Sequence, residues 1–168
     1  MTTTARELNG NLIIDFGDGT DYMVYPVPGK IGIEIQAILV GITMGTTGHE
    51  HGADRLASDT EKIAKLALGV PVKGRTNKRW AEFDKLRSAR ATVVSQAAIL
   101  WNTGGGGIDA VMDLLEEGGG YPKALGRVMQ SSGLGDQWKI LRTWLDGVGL
   151  TSATASTPNL TGGLNTSV

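Results

Sequence analysis

Apolar residues gather in two short runs near the start of the chain, "NLIIDF" (Asn11–Phe16) and "DYMVYPV" (Asp21–Val27). Both are rich in β-branched and aromatic residues, and "GDGT" lies between them. Gly17-Asp18-Gly19 supplies the tolerance of positive φ that a hairpin turn needs, so the pattern predicts a β-hairpin. Pro26 and Pro28 cannot donate to a ladder and should end the second strand. A two-stranded ribbon alone is marginal in water, so the hairpin needs cover from the helices or a neighbouring chain's sheet. Residues 1–10 are polar and read as a flexible N-terminus.

Beyond Gly29 the period changes. Ile31, Ile35, Ile38, Leu39 and Ile42 recur at helical spacing, with Glu34 and Gln36 off the stripe. Ile33 does not fit. An Ile31-Ile33-Ile35 alternation would suit a third strand, but the continuation "QAILVGI" favours helix. "TMGTTGHEHGAD" reads as a loop. Ser58 and Glu61 form a capping-box pattern at the head of the next helix, with Gly69 and Pro71 as its stop. From Thr76 to Asn102, a stripe through Trp80, Phe83, Leu86, Ala97, Leu100 and Trp101 predicts one long helix, or two broken near Ser88. "IDAVMDLLEE" and "YPKALGRVMQ" are short helical patterns separated by glycines, with Pro122 suited to a first turn. A last helix is expected through Trp138, Leu141 and Leu145. From Leu150 to Val168 the chain has no charge and is rich in Ser, Thr and Gly, the composition of a disordered tail. The fold class is α+β, mainly α: a hairpin followed by five to six short-to-medium helices. The folded domain is expected over residues 11–149 and the tail over 150–168.

Composition narrows the chemistry. The 168 residues include 25 glycines, about twice the usual share, while only 5% are aromatic. There is no cysteine, which excludes disulfides, thiolate zinc sites and a cysteine nucleophile. A formal net charge of −1 gives no global reason to expect nucleic acid or an anionic membrane as partner. The N-terminus lacks the apolar run of a signal peptide, and "IGIEIQAILVGI" is too short to span a bilayer. The expectation is a soluble intracellular protein.

Candidate sites are few. His49 and His51, with Glu50 and Asp54 beside them, could offer zinc or nickel two imidazoles. The spacing is not H-E-x-x-H, and no further His or Cys exists to complete the set; a solvated loop is the plainer reading. The glycine runs at 104–107 and 118–120 lack any phosphate-cradle pattern. "KGRTNKRW…KLRSAR" is basic, through Lys73, Arg75, Lys78, Arg79, Lys85, Arg87 and Arg90, and suits either solvent or an acidic protein partner. Trp80, Trp101, Trp138 and Trp144 fall on or near apolar stripes, as core residues do. No G-x-S-x-G elbow or paired-carboxylate site stands out. No catalytic, metal or cofactor residue is assigned, and an enzyme is not expected.

The order of pieces carries more. A hairpin ending "YMVYPVP", then "GKIGIEIQAIL", "LALGVPV", and a helix through "ATVVSQAAILWNTGG" resembles the tail assembly chaperones of siphophages infecting actinobacteria. The matching residues are Tyr22, Val24, Pro26, Pro28, Gly32, Gln36, Ala37, Leu39, Gly69, Val70, Pro71, Trp101 and Gly104, within residues 11–107. The likeness lies in the arrangement of elements; "TTGHEHGADR" and "EGGGYPKALGRVMQSSG" fall outside it. The resemblance implies a protein that binds the phage tape measure protein and keeps it soluble while tail tube subunits polymerise. It acts in the host cytoplasm and is absent from the mature virion. The tail tube protein and a longer frameshift product are further partners it suggests, and it leaves a homo-oligomer open. A structural virion component, such as a head–tail connector or minor tail protein, is the alternative. Candidate contact or core residues are Ile31, Ile35, Ile38, Ile42, Trp80, Phe83 and Trp101.

Overall fold

The computed structural model describes residues 2–43, 52–70, 77–104, 106–117 and 119–136. It begins with a three-stranded antiparallel sheet in the order β1-β2-β3: β1 is Thr4–Leu8, β2 Asn11–Asp15 and β3 Asp21–Val24. The expected flexible N-terminus is therefore corrected, since half of it, Thr4–Leu8, is strand. The partner of the hairpin is the segment just before it. Asn9 and Gly10 join β1 to β2 with φ of 51° and 72°. A two-residue turn with both residues at positive φ matches the twist of paired strands, and Asn-Gly is the pair that tolerates it best. The β2–β3 turn behaves as expected, with Gly17 at φ 74° and Gly19 at φ 85°.

Register fixes the faces of the sheet. Ala5, Ile14 and Tyr22 lie in one row, and Glu7, Leu12 and Val24 in the next row on that face. Leu12, Ile14 and Val24 are buried in the main core. Arg6, Ile13 and Met23 form a row on the other face. β3 ends at Val24, before the expected Val27, because Pro26 and Pro28 have no N–H to give a ladder.

α1 spans Gly29–Thr43, so the helical period prevails over the alternation. Ile35 and Leu39 are buried while Ile33 is 70% exposed. The Pro28 carbonyl accepts from Ile31 N–H at 2.8 Å and Gly32 N–H at 3.2 Å, closing the first turn. α2 spans Gly52–Ala67 and begins six residues before Ser58. Ser58 is thus inside the helix, because Ala53, Arg55, Leu56 and Ala57 are themselves favourable helix formers. Its end is as expected: Val70 N–H reaches Lys65 O at 2.8 Å and Gly69 N–H reaches Leu66 O at 3.0 Å, with Gly69 at φ +67°. That left-handed residue closes the helix in a Schellman arrangement.

The stretch after Thr76 is two helices, α3 (Lys78–Phe83) and α4 (Ser88–Asn102). Asn77 caps α3 by accepting Trp80 N–H at 3.1 Å. α4 is the central rod. It buries Val94, Ala97, Ala98, Ile99 and Leu100 and contacts the sheet, α1, α2 and the two helices that follow. Small alanines on it let neighbouring backbones come close. α5 (Ile108–Leu115) and α6 (Tyr121–Ser131) form a pair at one end. The connection into α5 is a close backbone approach: a Cβ on Gly106 would stand 1.7 Å from the Leu100 carbonyl oxygen. The last expected helix, through Trp138, Leu141 and Leu145, and the tail at 150–168 lie outside the described residues. No helix among the described residues is long and apolar enough to cross a membrane.

Candidate functional site

The seven residues expected at a contact or in the core divide by burial. Ile35 is fully buried, a core residue. Ile31, Ile38, Trp80, Phe83 and Trp101 are half-buried and pack against that core. The side chain of Ile42 lies outside the described residues. Trp80 and Phe83 meet each other on α3, ring centroids 5.2 Å apart and tilted by 32°. The stripe on α1 is therefore mainly a packing face. Among the described side chains of α1, the large apolar one left exposed is Ile33, which breaks the stripe.

A residue that sequence reasoning passed over organises the centre. Asn102, the last residue of α4, accepts Val27 N–H on Oδ1 at 3.0 Å. Its amide donates to Ala67 O at 2.9 Å and to Tyr25 O at 3.4 Å. One side chain thus joins the segment after β3, the end of α2 and the end of α4. Its own carbonyl oxygen lies 2.8 Å from where a Cβ on Gly32 would sit, so α1 crosses the end of α4 at a glycine. One turn on, Gln36 Oε1 is 2.8 Å from the Cβ position of Gly104. Gly32, Gln36 and Gly104, three residues that carry the resemblance, thus meet around the end of α4, beside the Tyr25–Val27 segment. Only a long-range contact distinguishes Asn102 from any other polar residue at a helix end, so no local signal marks it.

Charged groups form two further clusters. Asp18, in the β2–β3 turn, accepts from Thr20 Oγ1 at 2.6 Å and pairs with Arg90 of α4. Arg90 also lies over the Phe16 ring, 4.5 Å from its centroid. The Thr20 hydroxyl, then Arg90, hold the Asp18 carboxyl down at about 2, from an ordinary 3.8. At the other end, Asp113 of α5 is 8% exposed and pairs with Arg127 and Lys123 of α6. Hydrogen bonding from Arg127 first, and from Lys123, keeps its carboxyl below the usual range despite burial. Burial raises the Tyr121 phenol to about 12.

Both carboxylates have folded pKa values below their unfolded ones, so their contribution is complete above about pH 4 and is lost as pH falls through the folded values. For Asp18 that window runs from about pH 4 down to about pH 2, and the melting temperature of the native protein should drop across it. Asp18→Asn should melt lower than native near neutral pH, and the gap should close over that window. Thermal melts across pH check this; a gap that stays constant would refute it.

A cleft of about 510 Å³ opens between the start of β1 and α5, lined by Thr3, Met112, Asp113, Glu116 and Arg127 among others. The basic stretch is partly neutralised. Lys78 pairs with Glu82 at 3.7 Å and Arg90 with Asp18, whereas Lys85 and Arg87 are exposed. Lys73 and Arg75 lie outside the described residues, as do His49, His51 and Glu50; the Asp54 side chain lies outside them too. No group of three His, Asp or Glu side chains able to hold a metal gathers among the described residues. No known protein family, characterised protein or solved structure matches the chain.

Proposed function

We propose that this protein is a non-catalytic assembly chaperone of the phage tail type, which shelters apolar helical surface of a tape measure protein before the tail tube forms. The observation that carries the reading is the junction at the end of α4. Gly32, Gln36 and Gly104 meet there, so these residues of the resemblance belong to one structural unit. The architecture suits the task. Short helices separated by tight turns offer grooves that accept an amphipathic partner helix.

On this reading the contact surface of α1 centres on Ile33, since Ile35 is consumed by the core. Ile33→Lys should leave the melting temperature nearly unchanged, because exposed substitutions cost within about 0.5 kcal/mol. The same variant should lose the capacity to keep a co-expressed tape measure protein soluble. A variant that retains full capacity would move the contact off α1.

The decisive experiment is mass spectrometry of purified particles beside infected-cell lysate. The chaperone reading expects the protein in the lysate, bound to the tape measure protein, and its absence from particles. A fixed stoichiometric presence in particles would overturn it in favour of a structural virion component.

A further inference from the structure

Arg79 is held in place by three elements at once. Its guanidinium carbon stands 4.1 Å from the centroid of the Tyr25 ring. Its Nη1 lies 2.7 Å from the point where a Cβ on Gly69 would be, so the glycine that ends α2 also makes room for the guanidinium. The Arg79 carbonyl accepts the Tyr22 hydroxyl at 3.4 Å. Asn77 ties the start of the same helix to the Gly69 carbonyl through its amide at 3.3 Å. Yet no carboxylate among the described residues pairs with this arginine, and Glu82 nearby is engaged by Lys78.

A guanidinium stacked on a ring keeps its N–H donors at the rim, in the fork geometry that matches a carboxylate. Because neighbours have already fixed its orientation, binding loses little side-chain entropy. Exposed Lys85 and Arg87, between α3 and α4, add positive charge to the same helix–loop–helix stretch. The pattern does not suit a nucleic acid. Single strands need free aromatic faces for base stacking. Here Tyr25 has Arg79 over it, Trp80 has Lys65 and Phe16 has Arg90. Arginine and tyrosine together are the residue types that dominate protein interfaces.

We propose that the Arg79–Tyr25 pair is the docking point for a carboxylate on an acidic segment of a partner protein, with Lys85 and Arg87 as its positive rim. This does not depend on the chaperone reading.

The test is calorimetric titration of the full chain with three probes: a peptide of glutamates and leucines, the same peptide with glutamines for glutamates, and an oligothymidine of equal charge. The glutamate peptide should bind and the glutamine peptide should not. Arg79→Gln should weaken binding roughly tenfold or more, the loss expected for hydrogen bonds to a charged group. Arg79→Lys should recover only part of it, since an ammonium cannot present the fork. Arg87→Gln should have a smaller effect that vanishes at high salt. Melting curves accompany each variant; should Arg79→Gln fail to fold, Tyr25→Leu removes the stacking platform and should weaken binding in the same direction. Undiminished affinity in the folded Arg79→Gln or Tyr25→Leu variant, no binding of the glutamate peptide, or tighter binding of oligothymidine would each overturn the proposal.

Discussion

Ile35→Ala is expected to destabilise the protein by roughly 3 kcal/mol, the middle of the range for truncating a fully buried aliphatic side chain. Ile35 is 0% exposed, in a core shared with Leu12, Ile14, Val94 and Leu100. Part of the cost is lost transfer energy. The rest is the cavity left among rigid neighbours, because α1 is tied to the end of α4 where Gly32 crosses it and cannot collapse freely. Ile35→Val should cost about 1 kcal/mol by the same argument. Urea titration measures both. A value under about 1 kcal/mol for Ile35→Ala, with reduced partner binding, would show that this residue serves an interface instead.

Asn102→Ala should cost about 2–4 kcal/mol, because it strands two half-buried backbone groups, Val27 N–H and Ala67 C=O, each worth about 1–3 kcal/mol when unsatisfied. The melting temperature should fall by about 10 °C for a domain of this size. Asn102→Asp is the informative companion. An aspartate keeps the acceptor for Val27 N–H but turns the donor to Ala67 O into a repulsive oxygen, so it should rescue only part of the loss. Full rescue by aspartate would mean that the α2 contact carries no stability.

Much of the fold was legible because its signals are local. Gly17 and Gly19 in their turn, the apolar spacing on α1 and the Gly69 stop are each decided within a few residues, and the structure agrees at each. The misfit of Ile33 to the stripe was legible too, while its exposure is what the structure adds. β1 was missed although Asn9-Gly10 is a strong turn signal: Thr4–Leu8 faces solvent along most of its length, so its composition looks like a tail. The start of α2 was misplaced for the opposite reason. Ser58 and Glu61 have the capping sequence, but a cap forms only where the chain is not already helical. Asn102 and the Arg79–Tyr25 stack were invisible, since each joins residues far apart in sequence, and the Asp113–Arg127 pair depends on how α5 and α6 turn back on each other. Of the residues expected at a contact, Ile35 belongs to the core, and the surface arguments rest on Ile33 and Arg79 instead.

The link between Val27 and Asn102 also bears on how quickly the chain finds its structure. β1, β2 and β3 pair with their sequence neighbours, and α1 with α2 and α5 with α6 do the same. Such contacts close small loops and form fast. Val27 and Asn102 are separated by 75 positions, so this union requires the ends of a large loop to meet, at an entropic cost that grows with loop length. The barrier to folding is therefore expected to contain that closure. Destabilising it should slow the folding limb of a chevron plot, whereas loosening α6 should act mainly on unfolding.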